Sequence, residues 1–236
     1  MMKYLTYLLL LVSVNSWAMD AQSEAVQTDN PTKTKAARAP DPSFAPIQEV
    51  AGLPRVLIIG DSISMGYTLP VRKNLEGKAN ILRISENGGP SSRGIDKLTK
   101  WLGDKKWDLI IFNFGLHDLR VMDDGKHQVE IADYEKNLTT IGQTLIKTGA
   151  KVLFVNTTPV PKAAMKVVRL DTDVALYNTS ATKVMKELKI PVIDLNAAVT
   201  PKLKDYQKPN DVHYLPEGYQ FLGQVISAEI IKNLKK

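Results

Sequence analysis

Cysteine is absent from the 236 residues of this chain. That excludes disulfides and any lipid anchor attached at a thiol. Histidine is scarce, with only His117, His127 and His213 present. Neither His117 nor His213 has the paired spacing, or the accompanying carboxylate and thiol set, of a zinc site. Aromatic residues make up 7% of the chain and do not interleave with basic ones. The lysines and arginines are scattered, with short groups at Lys105-Lys106 and Lys235-Lys236, so the net charge of +6 describes a solvated surface. No nucleic-acid partner is expected from it. Gly-x-Gly-x-x-Gly and Walker patterns are both missing, and no cofactor is expected.

Long apolar runs are also missing. The most apolar stretch of the N-terminus, Leu5 to Val14, is about ten residues, half of what a membrane span requires. Lys3 precedes it, and Ser16-Trp17-Ala18 follows with small residues at the positions a signal peptidase reads. Residues 1–18 are therefore predicted to be a signal peptide cleaved near Ala18. The mature chain is expected to be exported, periplasmic or secreted, without stable membrane insertion. Residues 19–50, rich in Ala, Ser, Thr, Gln, Asp and Pro, show no sustained apolar period and read as a flexible spacer. A single domain is expected over residues 51–236.

What remains has the makings of a core, at 44% hydrophobic and 24% charged residues over the chain. Short apolar, β-branched runs at 56–59, 81–84, 109–114, 152–156 and 192–195 read as strands buried on both faces. Helical periodicity separates them. Ile131, Tyr134, Leu138, Ile141 and Leu145 form one stripe that Gly149 ends; Val174, Tyr177, Ala181, Val184 and Leu188 form another, with Pro191 beyond it. A last helix starts near Pro216-Glu217. Strands alternating with helices predict right-handed crossovers and an α/β domain of three α/β/α layers around a five-stranded parallel sheet.

Ligands bind such sheets outside the carboxyl ends of the strands. Three polar segments fall there: Gly60-Asp61-Ser62, Asn87-Gly88-Gly89, and Gly115-Leu116-His117-Asp118. A fourth, Asp211-Val212-His213, precedes the last helix. Ser62 reads either as a helix cap or as a nucleophile whose base, His213, is distant in sequence and met only through the fold. The glycine pair reads either as a tight turn or as a backbone donor brought close to a reacting carbonyl.

Together these four segments resemble those of the SGNH (GDSL-type) hydrolases, over most of residues 55–234. The resemblance implies a flavodoxin-like fold and a serine esterase. Ser62 matches the nucleophile, His213 the base, and Ser62, Gly89 and His117 the oxyanion donors. Two positions depart from the family pattern. His117 stands where Asn is usual, and Asn210 stands three residues before the base, where Asp is usual. Asp211 is one residue nearer. It is the favoured partner of His213, because a carboxylate stabilises an imidazolium as an amide cannot; the alternative is Asn210 and a Ser–His dyad.

The variant motifs look closer to carbohydrate esterases than to lipases, and no apolar lid is evident. The expected partner is a small-molecule or polysaccharide ester, chiefly an O-acetylated glycan. A periplasmic lysophospholipase or thioesterase is the alternative within the same chemistry. A non-catalytic glycan-binding protein on the same fold is the alternative outside it.

Overall fold

The computed structural model describes residues 40–162 and 167–234. The expected signal peptide and most of the expected spacer lie outside them. Five strands form one sheet: β1 (Arg55–Ile59), β2 (Asn80–Arg83), β3 (Leu109–Phe112), β4 (Lys151–Val155) and β5 (Val192–Ile193). All neighbours are parallel and the order is β2-β1-β3-β4-β5. This is the flavodoxin-like arrangement, with its crossover switch between β1 and β3. The helices are α1 (Ser62–Asn74), α2 (Ser91–Leu102), α3 (Ile131–Lys147), α4 (Asp171–Glu187), the short α5 (Leu195–Val199) and α6 (Leu203–Tyr206), and α7 (Pro216–Leu234). No helix among the described residues is long and apolar enough to cross a membrane.

The central strands are buried throughout because helices cover both faces. Ile58, Ile59 and Leu109 to Phe112 are wholly inaccessible. β3 stops two residues before its apolar run does. The Asn113 N–H still bonds the Ile59 carbonyl, but the Asn113 side chain takes the Val155 carbonyl at 2.8 Å, and Phe114 continues as buried loop. β5 is only two residues because Asp194 turns to cap α5 through the Ala197 N–H.

Folded structure starts earlier than residue 51. Asp41 caps a 3-10 turn at Pro42–Phe44, and Ser43 is buried. Asn80 on the edge strand β2 then holds both the N–H and the carbonyl of Val50, at 2.8 and 2.9 Å. Composition marks this segment as loop, but long-range side-chain bonds that composition does not encode tie it down.

The packing of α1 against α7 matters most for the site. Gly66 faces Tyr219, and a Cβ at Gly66 would fall 2.0 Å from the Tyr219 ring. On the same interface Gly223 lies against Pro70. Small residues let the two helices approach closely, and each begins beside a segment of interest: α1 at Ser62, α7 just after His213.

Candidate active site

Asp61, not Ser62, caps α1: its carboxylate accepts the Ile63 N–H at 2.9 Å. That leaves the Ser62 hydroxyl available, at the first position of the helix, where backbone N–H groups lack intrahelical partners. His213 Nε2 lies 2.8 Å from Ser62 Oγ. On the far side of the ring, His213 Nδ1 lies 2.6 Å from Asp211 Oδ1, which also accepts the His213 backbone N–H at 3.1 Å. Burial pushes the Asp211 carboxyl up, but its hydrogen bonds to His213 and the charges of His213 and Lys208 outweigh this and hold it below its usual value. Asn210 does not reach the ring. It is exposed and takes a left-handed φ of 54° in the turn before Asp211, a conformation that Asn tolerates better than most residues.

A half-buried arginine holds the Ser62 turn. Arg83 Nη1 donates to Ser64 Oγ at 2.6 Å and Nη2 to the Gly60 carbonyl at 2.9 Å, while Ser64 Oγ donates to the Asp61 carbonyl at 2.7 Å. Burial lowers the Arg83 pKa to about 10, leaving it charged at neutral pH. Nothing in the motifs of the sequence points to this residue. Its signal was slight, a single charge at the end of an apolar strand run.

The second segment meets the first through backbone. The Gly88 N–H donates to the Gly60 carbonyl at 3.0 Å, and a Cβ at Gly88 would sit 2.9 Å from that oxygen. Gly89, at φ +62°, is buried, and its N–H is taken by Asn87 Oδ1 at 2.9 Å. As a donor to a reacting oxygen it must share that hydrogen bond or release it. Pro90 gives α2 no side-chain cap, and Asp118 supplies one from the third segment by accepting the Ser91 N–H at 2.8 Å. Asp118 is fully buried and its second oxygen has no partner; burial raises its pKa to about 6, against the hydrogen bonds from Ser91. Asp118 thus joins the loops that carry Gly89 and His117.

His117 is half-buried, and its ring makes no hydrogen bond to any described residue. Burial lowers its pKa, and the charges of Arg169, Arg93 and Arg120 lower it further against the pull of Asp61. The ring is therefore neutral at pH 7, with one N–H to donate. Tyr177 and Asn178, also set within α4, are structural: Tyr177 donates to the Val129 carbonyl and Asn178 bonds both the N–H and the carbonyl of Thr157.

A depression of about 880 Å³ excludes Ser62 and His213. It lies over the carboxyl ends of β4 and β5, with Asn156, Val160, Asn178, Asn196 and Gln207 on its walls. The hydrogen-bonded series Asp211, His213 and Ser62 lies outside that depression. Among the described residues no group of three or more His, Asp or Glu side chains is placed to hold a metal ion.

Many solved structures share this fold, three of them as follows. An acetyl xylan esterase, AlAXEase, is 18% identical with a TM-score of 0.64, covering 75% of this chain and 99% of its own. A lipase/acylhydrolase from Enterococcus faecalis is 23% identical with a TM-score of 0.67, covering 78% of this chain and 98% of its own. Axe2, an acetylxylan esterase from Geobacillus stearothermophilus, is 15% identical with a TM-score of 0.61, covering 78% and 94%. No curated protein sequence matches the chain. Residues 58–221, which include Ser62, Gly89, His117 and His213, match the GDSL-like Lipase/Acylhydrolase family, and the chain belongs to that family of SGNH hydrolases.

Proposed function

We propose that the chain is an exported serine esterase that removes O-acetyl groups from carbohydrate. The observation that carries this reading is the aligned series Asp211–His213–Ser62, with hydrogen-bond distances of 2.6 and 2.8 Å. Such a series activates a hydroxyl for acyl transfer. His213 Nε2 takes the Ser62 proton as Oγ attacks the acyl carbon. The tetrahedral oxyanion is met by the Ser62 N–H at the start of α1 and by the neutral His117 ring. The Gly89 N–H joins them once it turns from Asn87. Collapse expels the sugar oxygen, which takes the proton from Nε2 and leaves acetyl-Ser62. Water, deprotonated by the same nitrogen, then releases acetate, and the proton returns to Ser62. Asp211 holds the Nδ1–H throughout and stabilises the imidazolium.

Carbohydrate is favoured because the depression over β4 and β5 carries the amide side chains of Asn156, Asn178, Asn196 and Gln207 among its apolar walls, a mixed lining in keeping with a sugar chain. The acetylxylan esterases with the same fold are in keeping with it. Export rests on the Lys3, Leu5–Val14 and Ser16–Ala18 pattern. The test is acetate release from a panel of acetylated polysaccharides, beside p-nitrophenyl acetate and a longer acyl ester, by wild type and Ser62→Ala. Release by wild type alone is expected. Equal release by Ser62→Ala, or none from any ester, refutes the reading.

A further inference from the structure

Three arginines surround the candidate oxyanion site, and none has a carboxylate to itself. Arg93, in the first turn of α2, lies against Gly89: a Cβ on that glycine would be 3.4 Å from the guanidinium carbon. Among the described residues its guanidinium makes one hydrogen bond, from Nη1 to the Asn87 carbonyl at 3.2 Å, and the residue is exposed. Arg169 is anchored by Nε on the Leu116 carbonyl at 2.6 Å, next to His117. Arg120 ends the same loop; its backbone N–H bonds the His117 carbonyl, and its Nε is buried without a partner. Among the described residues none of the three forms a salt bridge, whereas Arg55 pairs with Glu49.

The acids whose charges bear on Arg169 are Asp61 and Asp211. Each already accepts N–H groups, from Ile63 and from His213. Arg169 and Arg120 also repel one another. Like charges gathered around one ring, with most of their N–H groups uncommitted, raise the local potential and favour an incoming anion. The planar fork of a guanidinium matches a carboxylate or sulfate in particular.

We propose that this site takes an anionic substrate, in which a carboxylate or sulfate on the acylated sugar is received by Arg93, Arg120 and Arg169 beside the reacting ester. The proposal rests on the esterase reading for the ester itself, but its recognition chemistry is separate. It is tested by calorimetric titration of the whole protein with trigalacturonate, with a sulfated carrageenan oligosaccharide, and with neutral xylotriose.

One of the two anions should bind about ten- to a hundredfold more tightly than xylotriose, as expected for charge-assisted hydrogen bonds. Preference for the uronate would assign a carboxylate, and preference for the carrageenan a sulfate. Added salt should weaken the preferred anion and leave xylotriose unchanged. Arg93→Gln and Arg169→Gln should each remove most of the preference, and Arg93→Lys should keep part of it. Arg93 is exposed, so its variants retain the fold. Equal binding of xylotriose, no binding of either anion, or an unchanged preference in both glutamine variants would overturn the proposal. Binding needs no turnover. A protein that hydrolyses no ester yet prefers anions would refute the esterase reading and leave this one standing.

Discussion

Replacing Asp118 by asparagine should change how stability depends on pH, in a direction opposite to most carboxylates. Asp118 is fully buried, accepts one N–H from Ser91, and leaves its second oxygen without a partner. Burial lifts its pKa from 3.8 to about 6. The folded protein therefore holds this proton more tightly than the unfolded chain does, and stability falls as pH rises from the unfolded value through the folded one. Two pKa units at 1.36 kcal/mol each give roughly 3 kcal/mol over the whole window, of which about 2 kcal/mol falls between pH 4.5 and 7. His117 works in the other direction, because its lowered pKa makes stability rise with pH up to its unfolded value. Only the difference between wild type and Asp118→Asn isolates the carboxyl. Urea unfolding of both proteins at pH 4.5, 5.5, 6.5 and 7.5, each value chosen to bracket about pH 6, gives that difference. Asparagine keeps an acceptor for Ser91 and cannot ionise, so the variant should gain on wild type by about 2 kcal/mol across the range. Parallel pH profiles would show that Asp118 does not titrate in this window and would refute the reasoning.

Three other expectations follow from the geometry. Asp211→Ala should lower kcat by about a thousandfold or more, while Asn210→Ala leaves it within severalfold, since of these two only Asp211 reaches the His213 ring; the reverse order in steady-state kinetics on p-nitrophenyl acetate would refute this. His117→Ala should lower kcat by about a hundred- to a thousandfold with little change in KM, as a donor acting in the transition state would. A change confined to KM would make it a substrate contact instead. Gly66→Ala forces a methyl group into the Tyr219 ring and should cost about 1–3 kcal/mol in thermal unfolding, with lost activity as Ser62 and His213 move apart; an unchanged melting temperature would show that the α1–α7 contact yields freely.

Much of the fold was legible because its signals are local. Continuous apolar runs such as Leu109-Ile110-Ile111-Phe112 can be buried on both faces only in a covered parallel sheet. The stripe from Ile131 to Leu145 fixes one helix face, and the structure puts Tyr134, Leu138, Ile141 and Leu145 in the core. Strand ends were harder to read. Phe114 is as buried as Phe112, so hydrophobicity does not reveal that Asn113 ends the ladder with its side chain. At the site, Ser62 and His213 stood out by residue type and position. The sequence left two partners for His213, and only the turn through Asn210, with its left-handed backbone, decides which side chain reaches the ring. Arg83, Arg93, Arg120 and Arg169 were not singled out. Arginines are common on surfaces, and what distinguishes these is tertiary: hydrogen bonds to the Ser62 turn, or a guanidinium without a carboxylate beside His117.

If Asp211 and His213 activate one hydroxyl among the many in this chain, it is that of Ser62. Treatment with a fluorophosphonate, followed by intact mass and peptide mapping, reads that directly, because an unactivated serine does not react. One adduct per chain is expected, on Ser62, slowed strongly in His213→Ala and absent in Ser62→Ala. No adduct on wild type, or equal labelling of Ser62 with and without His213, would contradict it.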